Sequence, residues 1–539
     1  MGQTLAGCPC HMRDKGSDAA QTPIASKTSR RASESQIGLS PEVTLRSVDI
    51  VVNRGKLDDF YELDRVDIGS GAYGSVTKAR CKSIGVVDKT PTAESSTCPE
   101  SHTLALCGSE RAVKSIPKGP TRSEQAVARI SCEIAIMKAM DHPNIVKLYE
   151  TFQDNVTVHL VMEFCTGGEL FERIIQAGQF TEAQAKTIMS QILNAVYYMH
   201  EMRICHRDLK PENLMFASVA PIEESTLKVI DFGVSRNFTS GQFITTRTGS
   251  AYYVAPEVLT FRYTHVVDNW SCGVIMFVLF CGYPPFNGKD EASILAKVSS
   301  GRFEFREAYW EHVSTDAKDL IRSLLTVSAQ GRCTAEQALS YDWMQNAAPK
   351  GSVVSLDTRF VQRLQEFRAR NRFERAVMQA VARQVDENRT KYLRDVFFRF
   401  DTNGDGLLSL DEFRDGLAHA GVTELPADME DILESADVNG SGKIDYSEFL
   451  AASFDRTCHI EEDVCWSAFR LFDSDGDGKI TSAEVLKVLN AGGGTVISNE
   501  EMAQIMAGVD SNGDGGIDFD EFLSMLRGPL DDDEASDIK

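Results

Sequence analysis

The feature that most restricts the possible folds of this chain is a twelve-residue pattern that occurs four times near its C-terminus. The copies span residues 401–412, 437–448, 473–484 and 510–521, so they begin 36, 36 and 37 residues apart. Each has Asp at position one, Gly at six, an apolar residue at eight and Glu at twelve. Oxygen ligands around a sharp glycine turn, closed by a bidentate carboxylate, form the cage that Ca²⁺ prefers. Four copies in register at a nearly constant period exclude coincidence and predict four calcium-binding helix–loop–helix units.

The ligand sets differ between the four loops. The predicted ligands lie at positions one, three, five, seven and twelve, and position seven contributes its backbone carbonyl. They are Asp401, Asn403, Asp405, Leu407 and Glu412; Asp437, Asn439, Ser441, Lys443 and Glu448; Asp473, Asp475, Asp477, Lys479 and Glu484; and Asp510, Asn512, Asp514, Gly516 and Glu521. The last two loops carry more acids, so we expect this pair to bind calcium first. The apolar residues at position eight are expected to pair neighbouring loops across a short sheet.

Negative charge is concentrated in the same part of the chain. The 539 residues contain 56 Lys+Arg and 79 Asp+Glu, which gives a formal net charge of −23. Residues 391–539 hold 11 of the Lys+Arg residues and 34 of the Asp+Glu residues. Since 11 − 34 = −23, residues 1–390 are neutral. A segment this acidic would repel phosphates, so we expect no nucleic-acid partner and instead predict that it binds cations or a basic peptide.

A second constraint is the segment His206 to Asn213, with the sequence HRDLKPEN. Asp208 is suited to orient an attacking hydroxyl and accept its proton, and Lys210 to lie against the transferring phosphate. Asn213 is suited to hold a metal ion. The segment therefore predicts in-line phosphoryl transfer, provided that its partners appear in the right order.

Those partners do appear in order. The glycine-rich segment Gly69 to Val76 lies between two predicted strands, where its backbone amides can close over a triphosphate. The dinucleotide-binding alternative requires a helix after the glycines, whereas β-branched Val76 and Thr77 follow here. Lys114 on the next strand is placed for the α/β-phosphates, and Asp231 in an Asp-Phe-Gly motif for Mg²⁺ that bridges them.

These motifs resemble the eukaryotic protein kinases over residues 61–344. The resemblance implies a bilobal α+β fold with ATP and Mg²⁺ as cofactors and Asp208, Lys210, Asn213 and Asp231 as catalytic residues. It implies an ion pair between Lys114 and Glu133, an adenine-binding hinge after Met162, and a pair between Glu257 and Arg332. The implied nucleotide site consists of Ile68, Gly69, Gly71, Gly74, Val76, Ala112, Lys114, Glu133, Met162, Glu163, Cys165, Glu169, Asn213 and Asp231.

The resemblance also bears on the substrates. Lys210 and Ser250 resemble the serine/threonine-specific branch, so protein substrates with Ser or Thr are expected. Glu169 and Glu212 match positions that hold a substrate arginine in basophilic kinases, which favours basic substrates. Thr245, Thr246 and Thr248 are candidate phosphorylation sites with Arg207 as the receiving cation, although ordinary loop threonines explain the sequence equally well.

A basic segment joins the two predicted domains. Residues Arg359 to Arg383 contain seven arginines against Glu366 and Glu374. Phe360, Leu364 and Phe367 form one helical stripe, and Phe373, Val377 and Val381 form a second, slightly out of phase. This pattern is typical of a calmodulin target or a membrane-surface helix, and the alternative is a packed tail helix of the kinase.

The order of kinase, basic junction and four EF-hands resembles the calcium-dependent protein kinases of plants and apicomplexan parasites. The resemblance implies a multidomain chain with a kinase at 61–344, an autoinhibitory junction helix at 345–390 and an all-α calmodulin-like domain at 391–530. Calcium would release the junction from the kinase. Two alternatives are a calcium-sensing pseudokinase and a constitutive kinase whose calcium sites only localise it.

The remaining segments carry weaker signals. Residues 1–60 are predicted to be disordered, residues 81–110 to be a polar insert between strands, and residues 531–539 to be a solvated acidic tail. The start of the chain resembles a myristoylation site at Gly2 with palmitoylation at Cys8 and Cys10, which would allow membrane association. Ala6 occupies the Ser/Thr position of that motif, so an unmodified tail fits equally well.

Composition limits the compartment. The 13 cysteines are scattered without framework spacing, and no secretory signal is evident, so we expect a reduced, cytoplasmic protein. The longest apolar run, Gly273 to Cys281, is too short for a membrane span and predicts a buried core helix. We expect a monomer.

Overall fold

The computed structural model describes residues 52–53, 56–71, 74–82, 109–118, 124–345, 356, 359–422, 428–454, 461–491 and 498–527. The first lobe is a six-stranded sheet with two helices. Its elements are β1 (Val52–Asn53), α1 (Leu57–Phe60), β2 (Tyr61–Gly71), β3 (Gly74–Cys81), β4 (Glu110–Pro117), α2 (Glu124–Ala139), β5 (Leu148–Gln153) and β6 (Thr157–Glu163). The strand order is β1-β5-β6-β4-β3-β2, antiparallel apart from the parallel β1–β5 pair.

The prediction that residues 1–60 are disordered is wrong for the end of that range. The backbone of Val52 pairs with Thr151 in β5, and α1 begins at Leu57. Leu57 is buried with Tyr61 and Phe152 in a small cluster on the sheet. These residues are ordered because they cover apolar side chains that the sheet would otherwise expose to water.

The predicted insert at residues 81–110 is also slightly too long. Cys81 pairs with Tyr61, and Glu110 pairs with Arg80, so both predicted end residues belong to strands. Lys82 and Ser109 adjoin those strands, and residues 83–108 lie outside the described residues.

The second lobe is mainly helical. Its elements are α3 (Leu170–Ala177), α4 (Glu182–Glu201), β7 (Ile204–Cys205), a 3₁₀ turn (Pro211–Asn213), β8 (Leu214–Phe216), β9 (Leu227–Val229), β10 (Arg236–Asn237), a 3₁₀ turn (Pro256–Thr260), α5 (Val267–Cys281), α6 (Glu291–Ser300), α7 (Glu307–Trp310), α8 (Thr315–Leu324), α9 (Ala335–Leu339) and α10 (Asp342–Gln345). The pairs β7–β10 and β8–β9 are antiparallel, and they frame the loops that carry the predicted catalytic residues.

Helices α4 and α5 form the centre of this lobe. The Thr181 hydroxyl caps α4 by accepting a hydrogen bond from the Gln184 N–H, which satisfies a donor that has no partner within the helix. Helix α5 is buried along its whole length. The expectation that Gly273 to Cys281 forms a core helix is therefore confirmed. No helix of the described ranges is long and apolar enough to cross a membrane.

The C-terminal part is helical apart from short strands in the calcium loops. Its elements are α11 (Phe360–Arg368), α12 (Arg372–Gln384), α13 (Glu387–Phe400), α14 (Leu410–His419), α15 (Met429–Ala436), α16 (Tyr446–Ser453), α17 (Glu462–Phe472), β11 (Ile480–Thr481), α18 (Ser482–Ala491), α19 (Asn499–Val509), β12 (Gly516–Ile517) and α20 (Phe519–Arg527). Leu408 pairs with Ile444, and Ile480 pairs with Ile517, so the predicted pairing of the loops through position eight is confirmed.

The junction forms two helices, whereas the sequence was interpreted as one. Asn371 caps α12 by accepting a hydrogen bond from the Glu374 N–H at 2.9 Å, and this cap begins a new helix. The two apolar stripes are out of phase because they belong to separate helices. Since α13 begins at Glu387, the first EF-hand helix also starts before the predicted boundary at residue 391.

Both apolar stripes of the junction are buried in the EF-hand domain. The stripe residues are Phe360, Leu364, Phe367, Phe373, Val377 and Val381, and all belong to the same core as the helices that flank the loops. Phe449 lies near the centre of this core. Its ring centroid is 5.5 Å from that of Phe397, 6.0 Å from that of Phe413 and 6.3 Å from that of the junction residue Phe360.

We expect Phe449→Ala to lower the free energy of unfolding of the EF-hand domain by about 3–5 kcal/mol, because it leaves a cavity where several rings meet. Leu410→Ala is the matched control, since Leu410 is 39% exposed at the start of α14. Calorimetric unfolding of the whole protein at saturating calcium would measure both. Equal, small shifts for the two variants would contradict the packing described above.

Candidate functional site

Asp208 lies at the centre of a hydrogen-bonded loop. Its Oδ1 accepts hydrogen bonds from the Ser250 hydroxyl at 3.0 Å and from the Ser250 N–H at 3.1 Å. The Lys210 Nζ lies 3.1 Å from Oδ2. The Asn213 side-chain amide donates to the Asp208 carbonyl at 2.8 Å and to Oδ2 at 3.3 Å. The structure thus brings together three predicted catalytic residues, with Ser250 on the facing segment.

Asp268 holds this loop in place. The carboxylate of this fully buried residue accepts hydrogen bonds from the backbone N–H groups of His206 and Arg207, both at 2.8 Å, and bonds to the His200 ring at 3.0 Å. Burial raises the pKa of Asp268, but these bonds outweigh it and leave the pKa below its usual value. The carboxylate is therefore ionised and fixes a strained backbone, because Arg207 has φ of 71°. The sequence analysis did not predict this role for Asp268.

The fourth predicted catalytic residue, Asp231, is linked to the sheet lobe. The Lys114 Nζ lies 2.7 Å from an oxygen of Glu133 and 2.7 Å from one of Asp231. The predicted Lys114–Glu133 ion pair is therefore present. Burial lowers the pKa of Lys114, but the two carboxylates outweigh it and raise the pKa above its usual value. The ammonium is thus positively charged and joins α2, β4 and the Asp-Phe-Gly segment.

The nucleotide edge of the site has the shape that a phosphate chain requires. Strands β2 and β3 pair from Gly69 with Val76 to Gly71 with Gly74, so the glycine loop connects two strands as predicted. Gly74 has φ of 144°, and a Cβ there would lie 2.2 Å from the Ser115 carbonyl oxygen, so only glycine fits. The close approach of bare backbone beside a charged lysine suits an anionic ligand.

Other predicted nucleotide residues lie on the strands that carry Lys114 and the hinge. Ala112 pairs with Met162, and both lie on strands next to the hinge at Glu163 and Cys165. Ile68 is half exposed on the glycine-loop side of the cleft. The arrangement fits ATP with Mg²⁺. Lys114 would hold phosphate oxygens, and Asp231 and Asn213 would hold the metal, whose positive charge would offset that of the phosphates.

The predicted phosphorylation sites differ in their surroundings. The Arg207 guanidinium donates to the Thr246 hydroxyl at 2.7 Å, and the Tyr263 hydroxyl donates to the Thr246 carbonyl at 2.6 Å. Thr245 is exposed and Thr248 partly exposed. Thr246 therefore contacts Arg207, the cation that the sequence analysis proposed to receive a phosphate. The predicted Glu257–Arg332 pair is also present, with both carboxylate oxygens bonded at 2.6 and 2.9 Å.

The two acids predicted to hold a substrate arginine are close enough to influence each other. Glu169 directly precedes α3 and is partly buried. Burial raises its pKa, and the neighbouring negative charges of Glu172 and Glu212 raise it further. An acidic cluster beside the catalytic loop is a site that a guanidinium would stabilise.

All four calcium loops have one geometry. The position-one carboxylate accepts the N–H of the position-six glycine, at 2.9 Å in the first loop, 2.7 Å in the second, 3.0 Å in the third and 2.9 Å in the fourth. Those glycines, Gly406, Gly442, Gly478 and Gly515, have φ between 76° and 93°. In each loop, one carboxylate oxygen of the glutamate at position twelve accepts a hydrogen bond from a backbone N–H near the start of the loop. The other oxygen accepts a hydrogen bond from the backbone N–H at position nine. The terminal carboxylate therefore closes each loop with both oxygens facing inward.

The loops fit calcium by their donor chemistry. Ligand oxygens of Asp473, Asp475 and Glu484 lie within 4.8 Å of one another. In the first loop, burial and then the adjacent Asp405 raise the pKa of Asp401 to about 7. Crowded carboxylates with only oxygen donors suit a hard divalent cation, which offsets their repulsion. The predicted ligands of all four loops would hold Ca²⁺ in this way.

The EF-hand domain contacts the sheet lobe of the kinase-like region in two places. The Arg470 guanidinium, on α17, lies 2.7 Å from an oxygen of Glu150 in β5 and stacks on the Phe60 ring. On the other side, the Asp141 carboxylate accepts the Ser447 N–H at 3.0 Å and lies 3.6 Å from the Arg383 guanidinium. Asp141 thus touches an EF-hand and the last arginine of the junction together. The sequence did not predict this docking face.

The comparisons with known proteins agree with this geometry. Residues 100–344 match the protein kinase domain family, and residues 390–453 and 461–527 each match the EF-hand domain pair. Calcium-dependent protein kinase 5 of Plasmodium falciparum (isolate 3D7) is 39% identical over 482 residues, 89% of this chain and 80% of that protein. Calcium-dependent protein kinase 3 of Plasmodium berghei (strain Anka) is 37% identical over 88% of this chain and 81% of its own length. Calcium-dependent protein kinase 7 of Arabidopsis thaliana is 37% identical over 80% of each chain.

We expect Asp208→Asn to reduce the rate of peptide phosphorylation by about 10²- to 10⁴-fold, because an amide cannot accept the substrate proton. Calcium binding and thermal stability should stay close to those of the unchanged protein. Asp319→Asn, which alters an exposed carboxylate paired with Arg322, is the matched control. Phosphate transfer at the unchanged rate in Asp208→Asn would remove this residue from the catalytic group.

Proposed function

Because this chain belongs to the calcium-dependent protein kinases, we propose that calcium binding to its four loops controls serine/threonine phosphorylation by determining where the junction helices lie. The burial of α11 and α12 in the EF-hand core is the observation that supports this most directly. In that position their apolar faces are unavailable to the kinase. The function is calcium-gated transfer of the ATP γ-phosphate to proteins.

The arrangement of the kinase lobes supports an active state. Lys114 joins Glu133 and Asp231, and Asp208 faces Ser250 across the catalytic loop. A kinase needs this lysine–glutamate pair and a placed Asp-Phe-Gly carboxylate for phosphoryl transfer. The buried junction and this arrangement of the cleft together support the proposal that both belong to the active state.

At low calcium, we propose that the junction leaves the EF-hand core. Empty loops carry uncompensated carboxylates, and helix pairs that open with calcium close again when it is lost. The released arginines would be held near the kinase at roughly millimolar effective concentration by the short covalent connection. The acidic cluster of Glu169, Glu172 and Glu212 beside the catalytic loop offers a complementary surface for them.

In this proposal each site residue has one role. Asp208 accepts the substrate proton, Lys210 lies against the transferring phosphate, and Asn213 and Asp231 hold Mg²⁺. Glu169 and Glu212 select basic substrates. Membrane attachment through Gly2, Cys8 and Cys10, which lie outside the described residues, and a monomeric state are proposals based on the sequence alone.

We expect activity to rise with free calcium and the C-terminal loops to fill first, since they carry more ligand carboxylates. Glu484→Gln and Glu521→Gln should therefore remove the tighter binding phase in calorimetry, whereas Glu412→Gln and Glu448→Gln should remove the weaker one. Glu430→Gln, an exposed acid outside the loops, is the control for charge alone.

Peptide phosphorylation measured across the same calcium range tests the gate. Equal rates in chelator and in saturating calcium would overturn the proposal that calcium controls catalysis. A tighter N-terminal pair would leave the gate intact but reverse the predicted order of filling.

We expect Glu169→Gln to raise the KM for an arginine-containing peptide by about tenfold, because a charge-assisted bond to guanidinium is lost. The KM for ATP and the rate with a peptide that lacks arginine should change little. Glu311→Gln, an exposed acid after α7, is the matched control. An unchanged KM for the basic peptide would contradict the proposed substrate preference.

A further inference from the structure

A buried ion cluster connects the EF-hand domain to the two segments that carry the nucleotide site. The Lys228 side chain is fully buried, lies 3.2 Å from an oxygen of Glu163 and contacts the Glu387 carboxylate. Lys228 lies on β9, shortly before Asp231. Glu163 ends β6 at the hinge, and Glu387 begins α13 of the first EF-hand. One ammonium therefore links the hinge, the Asp-Phe-Gly segment and the calcium-binding domain.

Glu387 supplies the charge that makes this burial tolerable. Arg394 lies 3.4 Å from Glu387 and also contacts the buried Thr226 hydroxyl, so a second cation faces the same carboxylate. Burial raises the pKa of Glu387, but Lys228, then Lys147 and Arg394, outweigh it and leave the carboxyl ionised. Without Glu387, Lys228 would keep only Glu163 as an ion-pair partner, and Arg394 would keep only the half-exposed Asp395. Buried charges that lack partners are costly, so the local structure would rearrange.

We propose that Glu387 is a positioning residue that couples docking of the EF-hand domain to ATP binding, because it holds Lys228 against the hinge residue Glu163. The inference rests on the calcium-controlled docking proposed above. The carboxylate leaves or arrives with α13, whereas Lys228 and Glu163 stay with the kinase lobes. Loss of Glu387 shifts Lys228, and with it β9 and the end of β6, whose backbone lines the nucleotide cleft.

Other contacts across the interface lack this connection. Lys391 lies on the same helix as Glu387, and its Nζ is 3.8 Å from Glu224, but both side chains are about half exposed or more. Arg470 contacts Glu150 in β5, whose strand partner is Val161, two residues before Glu163 in β6. The exposed Lys391–Glu224 pair is expected to contribute little to stability, and neither of these two contacts touches β9. In the described part of the chain, Glu387 is the EF-hand residue that forms an ion pair with a residue of β9.

Glu387→Gln keeps the shape of the side chain and removes its charge. In the full-length protein at saturating calcium, we expect the KM for ATP to rise about fivefold, with the kcat and the KM for peptide changed less than about twofold. Affinity for Mg·ADP, measured by calorimetry at saturating calcium, should fall by a similar factor. Lys391→Gln is the matched control on the same helix and should leave both values unchanged.

A double-mutant cycle with Lys228→Met tests the mechanism. If Glu387 acts through Lys228, adding Glu387→Gln to Lys228→Met should change the affinity for Mg·ADP by less than about twofold. An equal fivefold loss in both backgrounds, or a Glu387→Gln variant with unchanged nucleotide affinity, would overturn the inference. A fall in kcat and in calcium response alone would also overturn it, because that outcome assigns Glu387 to docking only.

The same measurements separate this inference from the proposed function. If the unchanged protein is equally active with and without calcium, the gate itself fails. If calcium activates the unchanged protein but Glu387→Gln binds nucleotide normally, the gate stands and only the coupling role of Glu387 fails.

Discussion

The rest of the structure depends on the burial of the two apolar stripes of the junction inside the EF-hand domain. Each buried Phe, Leu or Val contributes about 1.5–3 kcal/mol relative to exposure in water, and the six stripe residues share one core with the loop-flanking helices. This burial requires open grooves between the helices. In the proposed mechanism calcium binding opens such grooves, so the position of the junction and the occupancy of the loops would form one equilibrium.

Charged contacts link the buried junction to the kinase lobes. Asp141 of the kinase lobe lies against both Arg383 of the junction and Ser447 of the second EF-hand. A carboxylate in such a position needs partners, and here one partner belongs to the junction and the other to the EF-hand domain that holds the junction. In the proposed mechanism, capture of the junction and docking on the kinase would therefore favour each other. Removal of either partner leaves the Asp141 charge poorly compensated, which disfavours partly assembled states.

The sequence predicted the features that depend on local chemistry. The spacing of glycines and carboxylates in each calcium loop, and the glycine loop between two strands, are determined by short segments whose bonding needs are visible in the residues themselves. The break in the junction could also be predicted, because Asn371 followed three residues later by Glu374 is a signal for a helix start. The interpretation of the junction as one helix did not use this signal. The same holds for α1, where Leu57 and Phe60 are three residues apart, as on one face of a helix.

What could not be predicted depends on contacts between residues far apart in the chain. Nothing near Asp268 indicates that it receives two backbone bonds from the catalytic loop, and nothing near Lys228 indicates Glu387. A charged residue in a sequence has many possible partners, and only the packing of the domains selects one. The pKa directions of such groups follow from that packing, so they too are invisible in the residue pattern.

The paired loops show how a local pattern and a distant contact combine. Position seven supplies a backbone carbonyl to its own loop, which leaves its side chain free. In the second and third loops this residue is a lysine, and Lys443 reaches Asp405 of the first loop while Lys479 reaches Asp514 of the fourth. A cation bound by Asp405 would compete with the Lys443 ammonium, and one bound by Asp514 would compete with the Lys479 ammonium. The displaced ammonium would move back toward its own loop. If the loops bind calcium, each member of a pair would therefore sense the occupancy of the other through charge as well as through the shared strand contact, and such coupling is reciprocal. If each pair of loops responds as a unit, the two pairs together can control the positions of both junction helices, α11 and α12.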